Sequence, residues 1–143
     1  MNKKLDIYLA NIMVENIKLH HLHWNIVGKS FVRVHEYFES QYNAFFERYD
    51  EIAEIQKMQG YYPNADLKSY LNLTTIDEIS KSEDIEIRKA LEIYLEDLNK
   101  FKELALEIRK EADKNDDFQI TNTMEEHIEA YNKEIWFIKA SLK

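Results

Sequence analysis

The stretch FVRVHEYFESQYNAFFERYDEIAE, residues 31–54, carries two helical patterns and decides the fold. Its apolar residues recur at alternating three- and four-residue steps, the period of a single buried helical stripe. The stripe consists of Phe31, Val34, Phe38, Tyr42, Phe45, Tyr49 and Ile52. It predicts a long helix with Ser30 as its N-cap, which continues to Gln59 and stops at Gly60.

The second pattern is polar and lies beside this stripe. His35 and Glu39 are four residues apart, and so are Asp50 and Glu54. At 100° per residue these side chains and Phe46 fall in a band about 100° wide. One histidine–glutamate pair at this spacing is common on exposed helices, but two such pairs on one flank favour a metal site.

Distance along the helix determines how such a site is built. His35 and Glu54 lie about 28 Å apart at the helical rise, whereas metal–ligand bonds are only about 2 Å long. One copy of the helix therefore cannot close a site, but two antiparallel copies around a two-fold axis can. Both pairs share a midpoint at Ala44, Phe45 and Phe46, whose small and aromatic side chains suit a contact. Equally spaced chance pairs also share a midpoint, so the spacing allows this dimer without proving it.

Helical periodicity also covers most of the remaining chain. It predicts further helices over residues 4–27, from Ser82, and from about Phe118. The expected apolar anchors of the first helix are Leu5, Leu9, Ile12, Ile17, Leu19, Trp24 and Ile26. In the long connection 60–82, Thr75 and Glu78 have capping-box spacing, which predicts a short helix there. The predicted class is all-α, a ferritin-like four-helix bundle with a long crossover between its second and third long helices; a simple up-down bundle is the alternative.

Composition narrows the class of protein. The 143 residues predict one domain, 1–143, and two glycines with one proline favour long helices. The absence of cysteine excludes disulfides and thiolate metal sites and suits a reducing compartment. No apolar run is long enough to span a membrane and the first residues lack an apolar signal core, so a cytoplasmic protein is expected. The formal charge of -8 argues against extensive contact with nucleic-acid phosphates.

The usual iron site inside a ferritin-like bundle is not encoded. Such sites use Glu-x-x-His on two helices. None of the five histidines has a glutamate three residues before it, and no HExxH zinc motif occurs.

Three segments together carry a resemblance to a known family. HLHWNIVGKSFVRVHEYFE at 21–39, DEIAE at 50–54 and GYYP at 60–63 resemble the Dps family, ferritin-like mini-ferritins named as DNA-binding proteins from starved cells. The likeness extends over nearly the whole chain: TIDEI resembles the family's connecting helix and NKEIWFIKASL its closing helix. The resemblance implies a hollow dodecameric shell with iron-oxidising sites at its two-fold interfaces.

The resemblance also implies a set of iron ligands. His23 and His35 match the family's two ligand histidines, and Asp50 and Glu54 match the acids that the facing subunit supplies. Glu39 stands where many members have aspartate; it keeps the charge, and a metal contact through its longer side chain is expected. The expected ferroxidase residues are His23, His35, Asp50 and Glu54, and iron is the expected metal.

The resemblance also bears on residues around this set. Trp24 matches a tryptophan beside the family's site, and His20, one turn before His23, is either a partner of the ligands or a core histidine. Members of the family admit ions through acidic pores near the start of the last helix. Asp113, Asp116 and Asp117 lie in that region, and a solvated loop is the equally weighted alternative.

Two function classes follow from the resemblance. The first is a ferroxidase and iron store, a homo-oligomer that oxidises Fe(II) with hydrogen peroxide or oxygen and keeps ferric oxide in its cavity. The second is a DNA-compacting nucleoid protein, a class whose DNA-binding members often carry a lysine-rich tail. This chain has only Lys3 and Lys4 before the first helix and Lys139 and Lys143 at its end, so DNA binding is not expected. A third possibility, an inactive helical scaffold, is disfavoured by the intact ligand set.

Overall fold

The computed structural model describes residues 2–143 as four long helices, one short helix and one short two-stranded ladder. In chain order the elements are α1 (Asn2–Asn25), β1 (Ile26–Val27), α2 (Phe31–Met58), α3 (Leu67–Leu73), β2 (Ile85–Glu86), α4 (Ile87–Lys114) and α5 (Phe118–Leu142). Helix α1 packs along α2, α4 packs along α5, and α3 lies against α1. The predicted all-α class and its long crossover between α2 and α4 are confirmed. Within residues 2–143, no helix combines the length and the apolar character that crossing a membrane requires.

The ladder corrects two predicted helix boundaries. The first helix ends at Asn25 instead of Val27, and the third long helix begins at Ile87 instead of Ser82. Strands β1 and β2 pair in parallel, with Ile26 opposite Ile85, and both isoleucine side chains are buried. Their backbone groups bond across the ladder and not along a helix, a long-range pairing that helical periodicity does not reveal.

The short helix of the crossover lies earlier than predicted. Helix α3 starts after Asp66, whose carboxylate accepts from the Ser69 amide at 3.0 Å. The expected capping box at Thr75 is wrong, because Asn11 of α1 bonds this segment instead. Asn11 Oδ1 accepts hydrogen bonds from the Thr75 amide at 2.8 Å and from the Thr74 hydroxyl at 2.6 Å. These bonds hold the chain against α1 in a non-helical conformation.

Ser30 precedes α2 as predicted but does not cap it with its side chain. Its backbone is left-handed, with φ of 69°, and its hydroxyl makes no capping hydrogen bond. Gly28 nearby has φ of 125° and Gly60 after α2 has φ of 89°, conformations that favour glycine. The turn geometry therefore ends α1 and opens α2 without a hydroxyl cap.

The core follows the predicted stripes with a few exceptions. In α4, Tyr94, Leu98, Phe101 and Ala105 are fully buried, as the seven-residue period implies. Ile17 and Trp24 of α1 are instead exposed, so their assignment as core anchors is wrong. They lie on the exposed side of α1. Apolar character alone does not tell a buried side of a helix from an exposed one.

A charged group is enclosed between α1 and α4. Glu15, Lys18 and Asp97 are all buried, and Lys18 Nζ lies 2.8 Å from Asp97 Oδ2. Burial, followed by the neighbouring Asp97 carboxylate, raises the pKa of Glu15 well above its usual range. The Glu15 carboxyl, with its raised pKa, therefore lies beside the Lys18–Asp97 ion pair.

Candidate metal centre

Two histidines meet where α1 ends and α2 begins. His23 belongs to the last turn of α1 and His35 to the second turn of α2. Their rings stack with centroids 3.6 Å apart and planes inclined by 13°. His23 Nδ1 lies 2.7 Å from the His35 carbonyl, and His35 Nδ1 lies 2.8 Å from the His23 carbonyl. Each histidine thus bonds the backbone of the other.

These reciprocal bonds fix the tautomer of both rings. A carbonyl oxygen only accepts hydrogen bonds, so each Nδ1 must carry the proton and donate it. In the neutral ring each Nε2 then has a free lone pair. A neutral imidazole held through its other nitrogen by a carbonyl is the usual form of a metal-ligating histidine. Both rings are therefore prepared to bind a cation through Nε2.

A carboxylate completes the cluster. Glu39 follows His35 by one helical turn, and one ligand atom each from His23, His35 and Glu39 falls within 4.8 Å of the other two. Within the cluster, His23 is buried, His35 is half-buried and Glu39 is exposed. Two imidazoles and a carboxylate accommodate both Fe(II) and Fe(III), although they do not exclude other divalent metals.

Aromatic rings enclose the histidine pair. Phe31 stacks near His35 with a centroid separation of 5.1 Å, and the Tyr42 and His23 rings meet in a T-shaped arrangement with centroids 5.3 Å apart. His20 stacks on Tyr42 at 3.7 Å and bonds the Asn16 carbonyl through Nδ1 at 2.7 Å. His20 is therefore linked to the histidine pair indirectly, because the Tyr42 ring contacts both His20 and His23.

Trp24 lies at the open edge of this aromatic group. Its ring is 5.6 Å from that of His20, and it remains 69% exposed in the single chain. Its ring lies beside His20, and a place for Trp24 next to the candidate site stays a prediction. A large exposed aromatic side chain at this place also suits contact with a second molecule.

Asp50 and Glu54 form a separate acidic pair farther along the same flank of α2. Both are exposed, and their mutual hydrogen bond, reinforced by their like charge, raises the pKa of Glu54. Asp50 lies about 22 Å from His35 along the helix. The acidic pair therefore does not meet the histidine cluster within one chain. Phe46 lies between them and is 59% exposed, whereas Phe45 is fully buried. The expectation that Phe45 offers contact surface is therefore wrong.

The whole chain matches a known family. The model of the ferritin-like domain matches residues 2–143. The DNA protection during starvation protein of Helicobacter pylori is 33% identical over 138 residues, which cover 93% of this chain and 92% of that protein. The chain belongs to the Dps family of ferritin-like proteins. The resemblance stated on sequence grounds is confirmed.

Solved Dps-family structures show the same fold. The structure of antigen TpF1 from Treponema pallidum matches with a TM-score of 0.96 and 30% identity, covering 99% of this chain and 90% of that one. A Dps protein from Bacillus brevis matches with a TM-score of 0.93 and 26% identity over 98% of this chain and 93% of that one. The ferritin-like bundle with its crossover is therefore the fold of this chain.

The three acids expected near the start of the last helix occupy different environments. Asp113 is exposed in the last turn of α4, and Asp116 is exposed with a left-handed φ of 53°. Asp117 is the N-cap of α5: its carboxylate accepts from the Ile120 amide at 3.1 Å and from Gln59 Nε2 at 3.0 Å. Asp117 thus joins the C-cap of α2 to the start of α5.

Replacing Asp117 tests this structural role. We expect Asp117→Ala to lower the free energy of unfolding by about 1–2 kcal/mol, because the α5 cap and its bond to Gln59 are lost together. The matched change Asp113→Ala removes an equal charge from the nearby last turn of α4 but breaks no cap, so the stability of this variant should stay near that of the parent protein. Thermal melting at fixed protein concentration measures both, and equal melting temperatures for the two variants would contradict the assignment.

Sequence reasoning missed two features of the site. It did not foresee that His23 and His35 bond each other's carbonyls, because that geometry depends on how tightly the turn between α1 and α2 closes. It also treated Tyr42 only as a core residue, although its ring contacts both His20 and His23. The period of α2 contained a hint, since Tyr42 is seven residues after His35 and shares its side of the helix.

Proposed function

We propose that this protein is a cytoplasmic, dodecameric iron-oxidising and iron-storing shell. The observation that carries the proposal is the convergence of His23, His35 and Glu39, with each histidine held at Nδ1 and its Nε2 free to ligate. Membership of the ferritin-like family supports iron as the metal. The proposed domain is the single ferritin-like unit of residues 1–143.

We further assign the missing half of each metal site to a second copy of the chain. A two-fold axis near Phe46 would bring Asp50 and Glu54 of one copy to His23 and His35 of the other, giving two identical sites per dimer. Exposure of Phe46 and of all three carboxylates in the band fits a surface that a partner covers. Glu39 would lie on the histidine side of each site.

The donor types suit the proposed reaction. Neutral imidazoles hold Fe(II), while the anionic carboxylates stabilise the harder Fe(III) product. Two Fe(II) ions supply the two electrons that reduce one hydrogen peroxide to two waters, with two protons drawn from solution. Because both electrons arrive together, no hydroxyl radical is released. The ferric product would then accumulate as oxide inside the shell, which limits radical damage.

Stopped-flow oxidation of Fe(II) tests the proposal on size-fractionated protein. We expect the assembled fraction to oxidise Fe(II) with hydrogen peroxide faster than the same concentration of Fe(II) does in buffer. Oxygen tested in parallel establishes which oxidant the site prefers. Activity equal to buffer in the assembled fraction, or full activity in a monomeric fraction, would contradict the inter-subunit site.

Direct DNA compaction is not part of the proposal. The chain carries a formal charge of -8, whereas sequence-independent DNA binding depends on cations that neutralise phosphates. We expect no retardation of DNA by the assembled protein in a gel shift at physiological salt without added metal. Retention of DNA under these conditions would show that a basic surface exists which the net charge conceals.

A further inference from the structure

A hydrogen-bonded chain of four side chains runs from the surface into the middle of the bundle. His127 Nε2 lies 2.6 Å from Glu51 Oε1, and His127 Nδ1 lies 2.8 Å from the Tyr8 hydroxyl. The Tyr8 hydroxyl lies 2.5 Å from that of Tyr131. The Glu51 side chain is 42% exposed, His127 is nearly buried, and both tyrosines are fully buried.

Chemistry fixes the direction of every bond in this chain. The Glu51 carboxylate only accepts, so His127 Nε2 carries a proton. Burial lowers the pKa of His127, which keeps the ring neutral and leaves Nδ1 as an acceptor. Tyr8 must then donate to His127, and Tyr131 must donate to Tyr8. The phenol proton of Tyr8 is therefore directed at a base that can receive it.

The tyrosine pair is also joined to the candidate metal centre through aromatic rings. The His23 ring meets Tyr42, and Phe45 lies three residues after Tyr42 on the same side of α2. The Phe45 ring lies 6.1 Å from that of Tyr131, and Phe101 bridges Phe45 to Tyr8 at 4.9 and 6.0 Å. Closely spaced rings thus connect Tyr8 to Phe45, and a separate ring contact joins Tyr42 to His23 one helical turn away.

We propose that Tyr8 and Tyr131 form a buried one-electron donor site, with His127 as the acceptor of the phenol proton. This inference rests on the proposed function, which supplies the oxidant: hydrogen peroxide at a site holding a single Fe(II). The Fe(II) supplies one electron and Tyr8 the second. Peroxide and two protons from solution become two waters, leaving Fe(III), a neutral Tyr8 radical and a His127 imidazolium. One electron from a later Fe(II), with the proton returned by His127, restores the phenol.

The surroundings favour this coupled transfer over loss of an electron alone. Burial raises the pKa of Tyr8 well above its usual range, so no phenolate is present. The Arg48 guanidinium lies 5.1 Å from the centre of the Tyr131 ring and disfavours positive charge there. The proton must therefore leave with the electron, and Tyr8 is the tyrosine of the pair whose hydroxyl bonds a histidine. Glu51 then stabilises the imidazolium.

Freeze-quench EPR of the assembled protein tests the inference under limiting Fe(II) with excess hydrogen peroxide. We expect a tyrosyl radical whose spectrum narrows when the tyrosine rings are deuterated. In wild-type protein labelled with ¹⁵N-histidine, the radical's spectrum should show a coupling to a histidine nitrogen. The signal should be lost in Tyr8→Phe and retained in Tyr94→Phe, a fully buried tyrosine that donates to Gln41 instead. Tyr8→Phe should also release more spin-trapped hydroxyl radical than Tyr94→Phe.

Two measurements separate the possible failures. Iron oxidation is followed in the same samples, and a photo-oxidised ruthenium complex serves as an oxidant that needs no iron. Iron oxidation without a histidine-coupled tyrosyl radical under either oxidant overturns the inference and leaves the proposed function standing. Absence of iron oxidation overturns the proposed function, and the photochemical experiment then decides whether the pair is a donor. If Tyr8→Phe fails to assemble, the nitrogen coupling in the wild-type protein decides.

Discussion

His35→Ala and Asp50→Ala should each slow Fe(II) oxidation by roughly tenfold to a hundredfold or more, the scale expected when a metal site loses an essential group. His35 is one of the two histidines of the metal-ligating cluster, and Asp50 is the proposed carboxylate of the facing copy. Asp50 is exposed and His35 is half-buried, and both lie outside the core stripe of α2, so the fold should survive their removal. Initial rates from stopped-flow mixing with hydrogen peroxide measure the effect.

Glu36→Ala provides the matched control for these variants. Glu36 is an exposed neighbour of His35 on α2 that lies outside the metal-ligating cluster. Its removal changes the surface charge by the same amount as Asp50→Ala, and its rate should match the parent protein. Size-exclusion chromatography verifies assembly of all three variants. Unchanged rates in both His35→Ala and Asp50→Ala would refute the site assignment.

Lys18→Met should destabilise the protein by about 3–5 kcal/mol, the usual consequence of leaving a buried charge without its partner. Lys18 and Asp97 are separated by 2.8 Å, and their side chains are only 6% and 3% exposed. Without the ammonium, the buried Asp97 carboxylate loses its ion-pair partner and is left beside the Glu15 carboxyl. A large drop in melting temperature at fixed protein concentration is the expected result.

Two further variants make this stability prediction specific. Lys81 lies 3.1 Å from Glu83 with side chains 78% and 55% exposed, so Lys81→Met should cost less than about 1 kcal/mol. The double change Lys18→Met with Asp97→Asn removes both charges and should recover much of the lost stability. Equal melting temperatures for Lys18→Met and Lys81→Met would contradict the buried ion pair.

The fold was largely predictable because helical periodicity is strong in this chain. The stripes in α2 and α4 follow from local spacing alone, and they placed the helices correctly along most of their length. The errors lie where distant segments meet. The pairing of Ile26 with Ile85 shortened two helices, and Asn11 bonded the segment that looked like a capping box. Such long-range hydrogen bonds have no local signature.

The candidate site was predictable in part for the same reason. Spacing placed His35, Glu39, Asp50 and Glu54 on one flank of α2, and the structure places all four there. His23 came from the resemblance to the Dps family, and the structure brings it to His35 and Glu39. The Tyr8–His127–Glu51 chain was not foreseen, because its members come from three helices.

One missed feature did have a signal in the sequence. Glu15 lies three residues after Ile12 and four before Leu19, so it falls on the buried stripe of α1. Asp97 holds the corresponding place between Tyr94 and Phe101 in α4. A charged residue on a buried stripe predicts a compensating partner, which Lys18 supplies. The helical periodicity of the sequence was therefore sufficient to predict a buried charge cluster at these positions.

Mixed assembly of His35→Ala and Asp50→Ala subunits tests the inter-subunit site most directly. In a mixed dimer one site has lost both residues, while the other combines the intact His35 of one copy with the intact Asp50 of the other. The two variants are unfolded, combined in equal amounts and refolded together. Random pairing should restore about a quarter of the wild-type sites, although each variant alone is strongly slowed. Recovery of that fraction of the Fe(II) oxidation rate is the result we predict; a mixture no faster than the separate variants would contradict a site shared between two copies.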